Sequence, residues 1–185
     1  MENYKKNLDL LTKNYVYSKE MEHDACGVGL IASTEGKKSR TIVEHGIEAL
    51  KAVWHRGAVD ADGKTGDGAG IHVEIPKDFF IEKIQVTGHD YDNSEICVGM
   101  IFLPRNDYSA QESCKTIVES ELTKNNFSIY GWRQVPVNPK VLGEKALQTM
   151  PEIIQVLFKS NDPNLLDKNL ERKIYETRKR IENKA

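Results

Sequence analysis

The run Asp24-Ala25-Cys26-Gly27-Val28-Gly29-Leu30-Ile31-Ala32 sets a cysteine at the head of a short β-prone segment, behind a polar leader. Val28, Leu30 and Ile31 predict a strand, and Thr34-Glu35-Gly36-Lys37-Lys38 supplies the turn residues that would end it. Gly27 and Gly29 carry no side chain, so a substrate can approach the backbone beside the thiol. Two readings of Cys26 stand on these residues. One is a nucleophile exposed as a new N-terminus when residues 1–25 are removed. The other is a small buried hydrophobe at a strand end.

Residues 1–25 mix lysines, acids and aromatics, and their apolar cluster of Leu8, Leu10 and Leu11 is too short for the core of a secretory signal. The leader is either a packed arm or a pro-segment cut after Ala25. Beyond the turn, Ile42, Val43, Ile47, Leu50, Val53 and Trp54 recur at the three-and-four spacing of an amphipathic helix, with Gly57 after His55-Arg56 as its stop. The glycine-rich loop Asp62-Gly63-Lys64-Thr65-Gly66-Asp67-Gly68-Ala69-Gly70 then feeds a predicted strand, where Ile71, Val73 and Ile75 alternate with His72 and Glu74 up to Pro76. Further strands are predicted over 96–103, 127–135 and 151–158. Helices are predicted over 109–122, with Cys114, Ile117, Val118 and Leu122 inward, and from Asp162-Pro163 through Leu166, Leu170, Ile174 and Ile181. The class is α+β or mixed α/β.

With 185 residues the chain is long enough for one well-filled core, and a net charge of -2 argues against nucleic-acid binding. No continuous apolar stretch is long enough to span a membrane. Cys26, Cys97 and Cys114 are odd in number and widely spaced, which points away from a disulfide framework or a CxxC metal site and toward a reducing cytoplasm. The loop at 66–70 precedes a predicted strand, whereas a phosphate-binding turn opens a helix, and it lacks the Gly-Lys-Ser/Thr ending. A calcium loop starting at Asp60 fails as well: Lys64 stands where a third oxygen ligand belongs and Ile71 where a bidentate glutamate is needed. The five histidines show neither HxxxH nor HExxH spacing, and Arg178-Lys179-Arg180 is interleaved with Glu171, Glu176 and Glu182, as on a solvated helix face.

What remains is Cys26-Gly27-Val28-Gly29, the His55-Arg56-Gly57-Ala58 element and the loop from Asp62 to Gly70. Together with Tyr130-Gly131-Trp132-Arg133-Gln134-Val135-Pro136, Leu142-Gly143-Glu144 and Arg178-Lys179-Arg180-Ile181-Glu182, these closely resemble the start of the glutamine amidotransferase domain in the large subunit of bacterial glutamate synthase. The resemblance runs from about residue 20 to the end. It implies an α+β N-terminal nucleophile fold of four layers, αββα, incomplete in this chain, with residues 1–25 as leader or propeptide and 26–185 as the front of a type 2 glutamine amidotransferase domain. It implies that Cys26, freed at its α-amino group, attacks the side-chain amide of L-glutamine, with Gly27, Arg56, Gly57, Asp67 and Gly68 supporting the site. For Arg56 the alternative is a helix-end arginine that satisfies carbonyls; for Asp67 a loop-shaping role is favoured over a catalytic one.

The resemblance also implies FMN and an iron-sulfur cluster in the full-length enzyme, with no cofactor or metal in this segment. Its implied partners are the rest of the large subunit and a small flavin-containing subunit. An Asn-Gly pair and an arginine segment, which in the family supply oxyanion donors and a carboxylate clamp, do not occur in this sequence. The expectation is therefore a front portion of a larger enzyme, inactive by itself. The alternatives are a truncated non-catalytic fragment or binding module and, with less of the sequence behind it, another N-terminal nucleophile hydrolase.

Overall fold

The computed structural model describes residues 6, 10, 27–54 and 57–185. The chain divides into two units, Met1–Arg56 and Gly57–Ala185. In the first, helix α1 spans Arg40–Ala52. Ser39 caps it by accepting the Thr41 N–H at 3.1 Å, which satisfies one of the donors a helix start leaves open. Ile42, Val43, Ile47 and Leu50 are half-buried along one stripe, as their spacing predicts. Val53 and Trp54 do not join that stripe. Val53 caps the helix, and both are exposed, so no burial offsets their poor helix propensity.

The second unit is α+β. It contains helix α2 (Lys77–Val86), strand β1 (Cys97–Leu103), helix α3 (Tyr108–Lys124), strand β2 (Phe127–Gln134), a 3-10 turn (Pro139–Val141), helix α4 (Glu144–Thr149), strand β3 (Glu152–Ser160) and helix α5 (Asp167–Glu182). The three strands form one sheet in the order β1-β3-β2, with β3 antiparallel to both neighbours. Cys97 faces Phe158 across one ladder and Phe127 faces Ser160 across the other.

Two cores follow from the alternation of the strands. On one face Cys97, Phe127, Val156 and Phe158 meet Val118 and Leu122 of α3 and Leu170 of α5, with Phe127 and Phe158 edge to face at 5.3 Å. On the other, Phe80 and Ile84 of α2 meet Ile96, Tyr130 and Leu157. Each such side chain contributes about 1.5–3 kcal/mol by leaving water. The second face is only partly covered: Met100 and Phe102 remain 48% and 63% exposed.

Several further expectations are corrected. Residues 27–33 are not a strand, nor are 71–75; neither segment pairs with a strand among the described residues, and alternation without a hydrogen-bonded neighbour does not make a sheet. Pro76 caps α2, an unforeseen helix whose Phe80 N–H bonds to Pro76 O at 3.2 Å. The last helix begins at Asp167, because Asp162-Pro163 is used in a turn in which Asp162 accepts the Asn164 N–H. Leu166 caps that helix and is exposed, while Leu165 packs on the core. Cys114 is only half-buried, although its neighbours Val118 and Leu122 point inward.

Candidate active site

From Gly57 to Gly70 the chain doubles back on itself. Asp60 N–H donates to Thr65 O at 2.8 Å, Gly63 N–H donates to Asp60 O at 2.9 Å, and Val59 and Gly66 form an antiparallel bridge. Gly63 turns the chain at φ +68°, a left-handed value that glycine adopts without strain. Asp62 organises the tip: Oδ1 accepts the N–H groups of Lys64 (2.9 Å) and Thr65 (2.7 Å), and Oδ2 accepts the Thr65 hydroxyl (2.5 Å). Those donors, the Thr65 hydroxyl foremost, hold the Asp62 carboxyl well below the usual carboxylate range.

The base of the loop is closed by Asp67, whose Oδ2 accepts the Ala58 N–H at 2.8 Å. The residue after Gly57 is thus tied to the residue before Gly68. Gly68 sits at φ +82°, so a side chain there would be strained although the space around it is open.

A second element holds the tip. Lys145 Nζ pairs with Asp60 Oδ2 at 2.6 Å, a contact that lowers the Asp60 carboxyl and raises the Lys145 ammonium. The N–H groups of Lys145 and Ala146 face Asp62 Oδ2 (3.5 Å) and Thr65 Oγ1 (3.4 Å). Sequence reasoning assigned Thr65, Gly143 and Lys145 no role; Leu142-Gly143-Glu144 entered only as a motif, and nothing in its spacing links it to a loop about 80 residues earlier.

Of the predicted site residues, Gly57, Asp67 and Gly68 are brought together in this loop. Gly27 lies in the first unit, in a segment without regular secondary structure where an added Cβ would meet nothing within 4 Å. Cys26 and Arg56 lie outside the described residues. The cleft of about 370 Å3 bounded by Leu103, Arg105, Tyr108, Gln111, Glu152 and Ile154 involves none of Gly57, Asp67 and Gly68.

Residues 26–185 match the family of class-II glutamine amidotransferases. The chain belongs to that family. The match starts at Cys26, the residue the sequence singles out. Over 179 residues the chain is 52% identical to the glutamate synthase [NADPH] large chain of Azospirillum brasilense, covering 97% of this chain and 12% of the relative. It is 40% identical over 174 residues to the ferredoxin-dependent glutamate synthase of Pyropia yezoensis, covering 94% and 11%. With the chloroplastic ferredoxin-dependent enzyme of Spinacia oleracea it shares 39% over 166 residues, covering 89% and 10%. The chain therefore spans about a tenth of the length of the curated relatives it matches.

In this amidotransferase segment the carboxylates of Asp60, Asp62 and Asp67 are engaged by backbone N–H groups, the Thr65 hydroxyl or Lys145. Among the described residues no three His, Cys, Asp or Glu side chains cluster as a metal site. Among the described residues the cysteines Cys97 and Cys114 are free thiols. No helix among the described residues is long and apolar enough to cross a membrane.

Proposed function

We propose that this chain carries the nucleophile of a glutamine-hydrolysing site within a glutamate synthase. The carrying observation is that the match to class-II glutamine amidotransferases spans 26–185 and begins at Cys26. Removal of residues 1–25 frees the α-amino group of Cys26. Its reference pKa of about 7.7–8.0 lets it take the thiol proton near neutrality, which an amide nitrogen cannot do. The thiolate attacks the side-chain amide carbon of glutamine, the C–N bond breaks and ammonia leaves with the proton. Water then hydrolyses the thioester to glutamate and restores the thiol.

Gly27 leaves the nucleophile uncrowded, and Gly57, Asp67 and Gly68 lie in the loop that the likeness to the family assigns to the site. Arg56 immediately precedes that loop and biases the thiol electrostatically. The half-covered face of the sheet, with Met100 and Phe102 exposed, supports a four-layer αββα arrangement in which a second sheet covers it. Ammonia passes to the rest of the large chain, partnered by a small flavin-containing subunit in the cytoplasm. FMN and the iron-sulfur cluster belong to those parts, and no step in this chain is routed through them.

The test uses the gene's full-length product. Incubated with glutamine, it is expected to release glutamate and ammonia in equal amounts, to begin at Cys26 on N-terminal sequencing, and to lose at least 1,000-fold in rate as Cys26→Ala, in line with removal of a nucleophile. Turnover by Cys26→Ala would sink the nucleophile assignment. Active protein that retains residues 1–25 would sink the maturation step alone.

A further inference from the structure

We infer that Gly143, with Asp62 and Thr65, is a positioning device for the loop that carries Gly57, Asp67 and Gly68. The inference rests on the glutamine-hydrolysing reading for its functional consequence, and on geometry alone for the device itself. Gly143 is buried and sits at φ -71°, ψ 164°, a conformation open to any residue. Its glycine identity is therefore not dictated by the backbone angles. Space dictates it: an added Cβ would lie 2.5 Å from both Thr65 N and Asp62 Oδ2, and closer still to Thr65 Oγ1. Thr65 N is main chain and cannot rotate away, so any side chain at 143 must push the loop tip off α4.

The contact is a staple between distant parts of the sequence. Lys145 pairs with Asp60, the Lys145 and Ala146 amides face Asp62 and Thr65, and Lys64 Nζ reaches Lys140 O at 3.2 Å. From the tip the path to the proposed site is short and continuous. Thr65 and Asp60 share the first rung, Val59 and Gly66 the next, and Asp67 holds Ala58, the residue after Gly57. A shift imposed at Gly143 is thus carried along the ladder to Asp67 and the Gly57-Ala58 backbone. Displacement of about 1 Å near a reacting centre reduces rate by up to about a hundredfold.

Two variants of the full-length product test this: Gly143→Ala, which inserts the clashing methyl, and Thr65→Val, which keeps the shape but removes the hydroxyl. Each is read by glutaminase kcat and KM, melting temperature and amide hydrogen exchange at Ala58 and Asp60. Expected for Gly143→Ala is a fall in kcat/KM of about tenfold or more, with the melting temperature lowered by less than about 5 °C and faster exchange at Ala58 and Asp60. Thr65→Val is expected to move all three readouts in the same direction by less.

Activity of Gly143→Ala within twofold of wild type, or unchanged exchange at Ala58, overturns the inference. If Gly143→Ala does not fold, Thr65→Val decides on the same criteria. Should the wild type itself not hydrolyse glutamine, the proposed function fails while the staple is still decided by exchange: acceleration at Ala58 upholds it and protection refutes it.

Discussion

A thiol's chemistry is set by what surrounds it, and Cys97 shows the inert extreme. Burial among Val118, Phe127 and Phe158 pushes its thiol up to about 12, with the carboxylates of Glu95 and Glu171 adding to the shift. At pH 8 the native protein is expected to leave Cys97 unmodified by iodoacetamide over a period in which the urea-unfolded chain is fully labelled; labelling of native Cys97 at the unfolded rate, seen by peptide mass spectrometry, would refute its burial. The proposed role of Cys26 demands the opposite setting, next to a free amine and two glycines. Glu121 is a second residue whose environment defines it. Its side chain is 4% exposed and accepts from Lys184 Nζ at 2.7 Å and Lys124 Nζ at 3.4 Å, and the Lys184 contact above all holds the carboxyl below the usual glutamate range. Because its folded value lies below its unfolded one, the stabilisation is present at neutral pH and is lost as pH falls through the acid range beneath about 4.3. Glu121→Gln should therefore lower the melting temperature at pH 7, and the gap from wild type should narrow as pH falls beneath about 4.3. A gap that widens on acidification would exclude the assignment. Neither setting is visible in the sequence, where Glu121 reads as a surface acid on a helix.

Strand β2 shows how one element can change faces. Its register slips between Ile129 and Gly131, leaving Tyr130 as the extra residue of a bulge. Ile129 and Trp132 therefore serve one core, while Tyr130 enters the other and its hydroxyl donates to Asp92 at 2.8 Å. Simple period-two alternation would put Trp132 on the face of Tyr130. Gly131 makes the slip possible at φ +149°, and Thr87 fills the space a side chain would need: a Cβ would meet Thr87 Cγ2 at 2.7 Å and Thr87 Cβ at 2.9 Å. Gly131→Ala is expected to destabilise the protein by about 2–3 kcal/mol, from strain and overpacking together. Urea denaturation showing less than about 0.5 kcal/mol of loss would contradict it. The strand itself was legible from Phe127 to Val135, but the bulge was not, because Gly131 reveals its purpose only beside Thr87. Likewise α5 was legible from Leu170, Ile174 and Ile181, while the fully buried Thr177 passed unnoticed in the same stripe, its hydroxyl satisfied by Lys173 O at 2.8 Å.

For the whole molecule, the sheet's uncovered half decides what a mutation does in different settings. Phe102 is 63% exposed, so Phe102→Ser in the 185-residue chain should shift stability by less than about 0.5 kcal/mol, as surface substitutions do. In the full-length product, where the four-layer proposal covers that face, the same change should cost about 3 kcal/mol or more, the range for truncating a buried aromatic. Equal effects in the two proteins, measured by denaturant titration, would count against a covering sheet. The sequence by itself determined the secondary elements with strong apolar periodicity, the α+β class, and membership of the class-II amidotransferases through motifs clustered at Cys26, Arg56 and Asp67. These are local properties, written in spacing and composition. Only the tertiary structure decided that 71–75 pairs with no described strand, that β2 changes faces, and that Gly143 fits against Asp62 and Thr65. Each depends on an atom brought close from far along the chain, and close approach between distant segments leaves no periodic mark in either one.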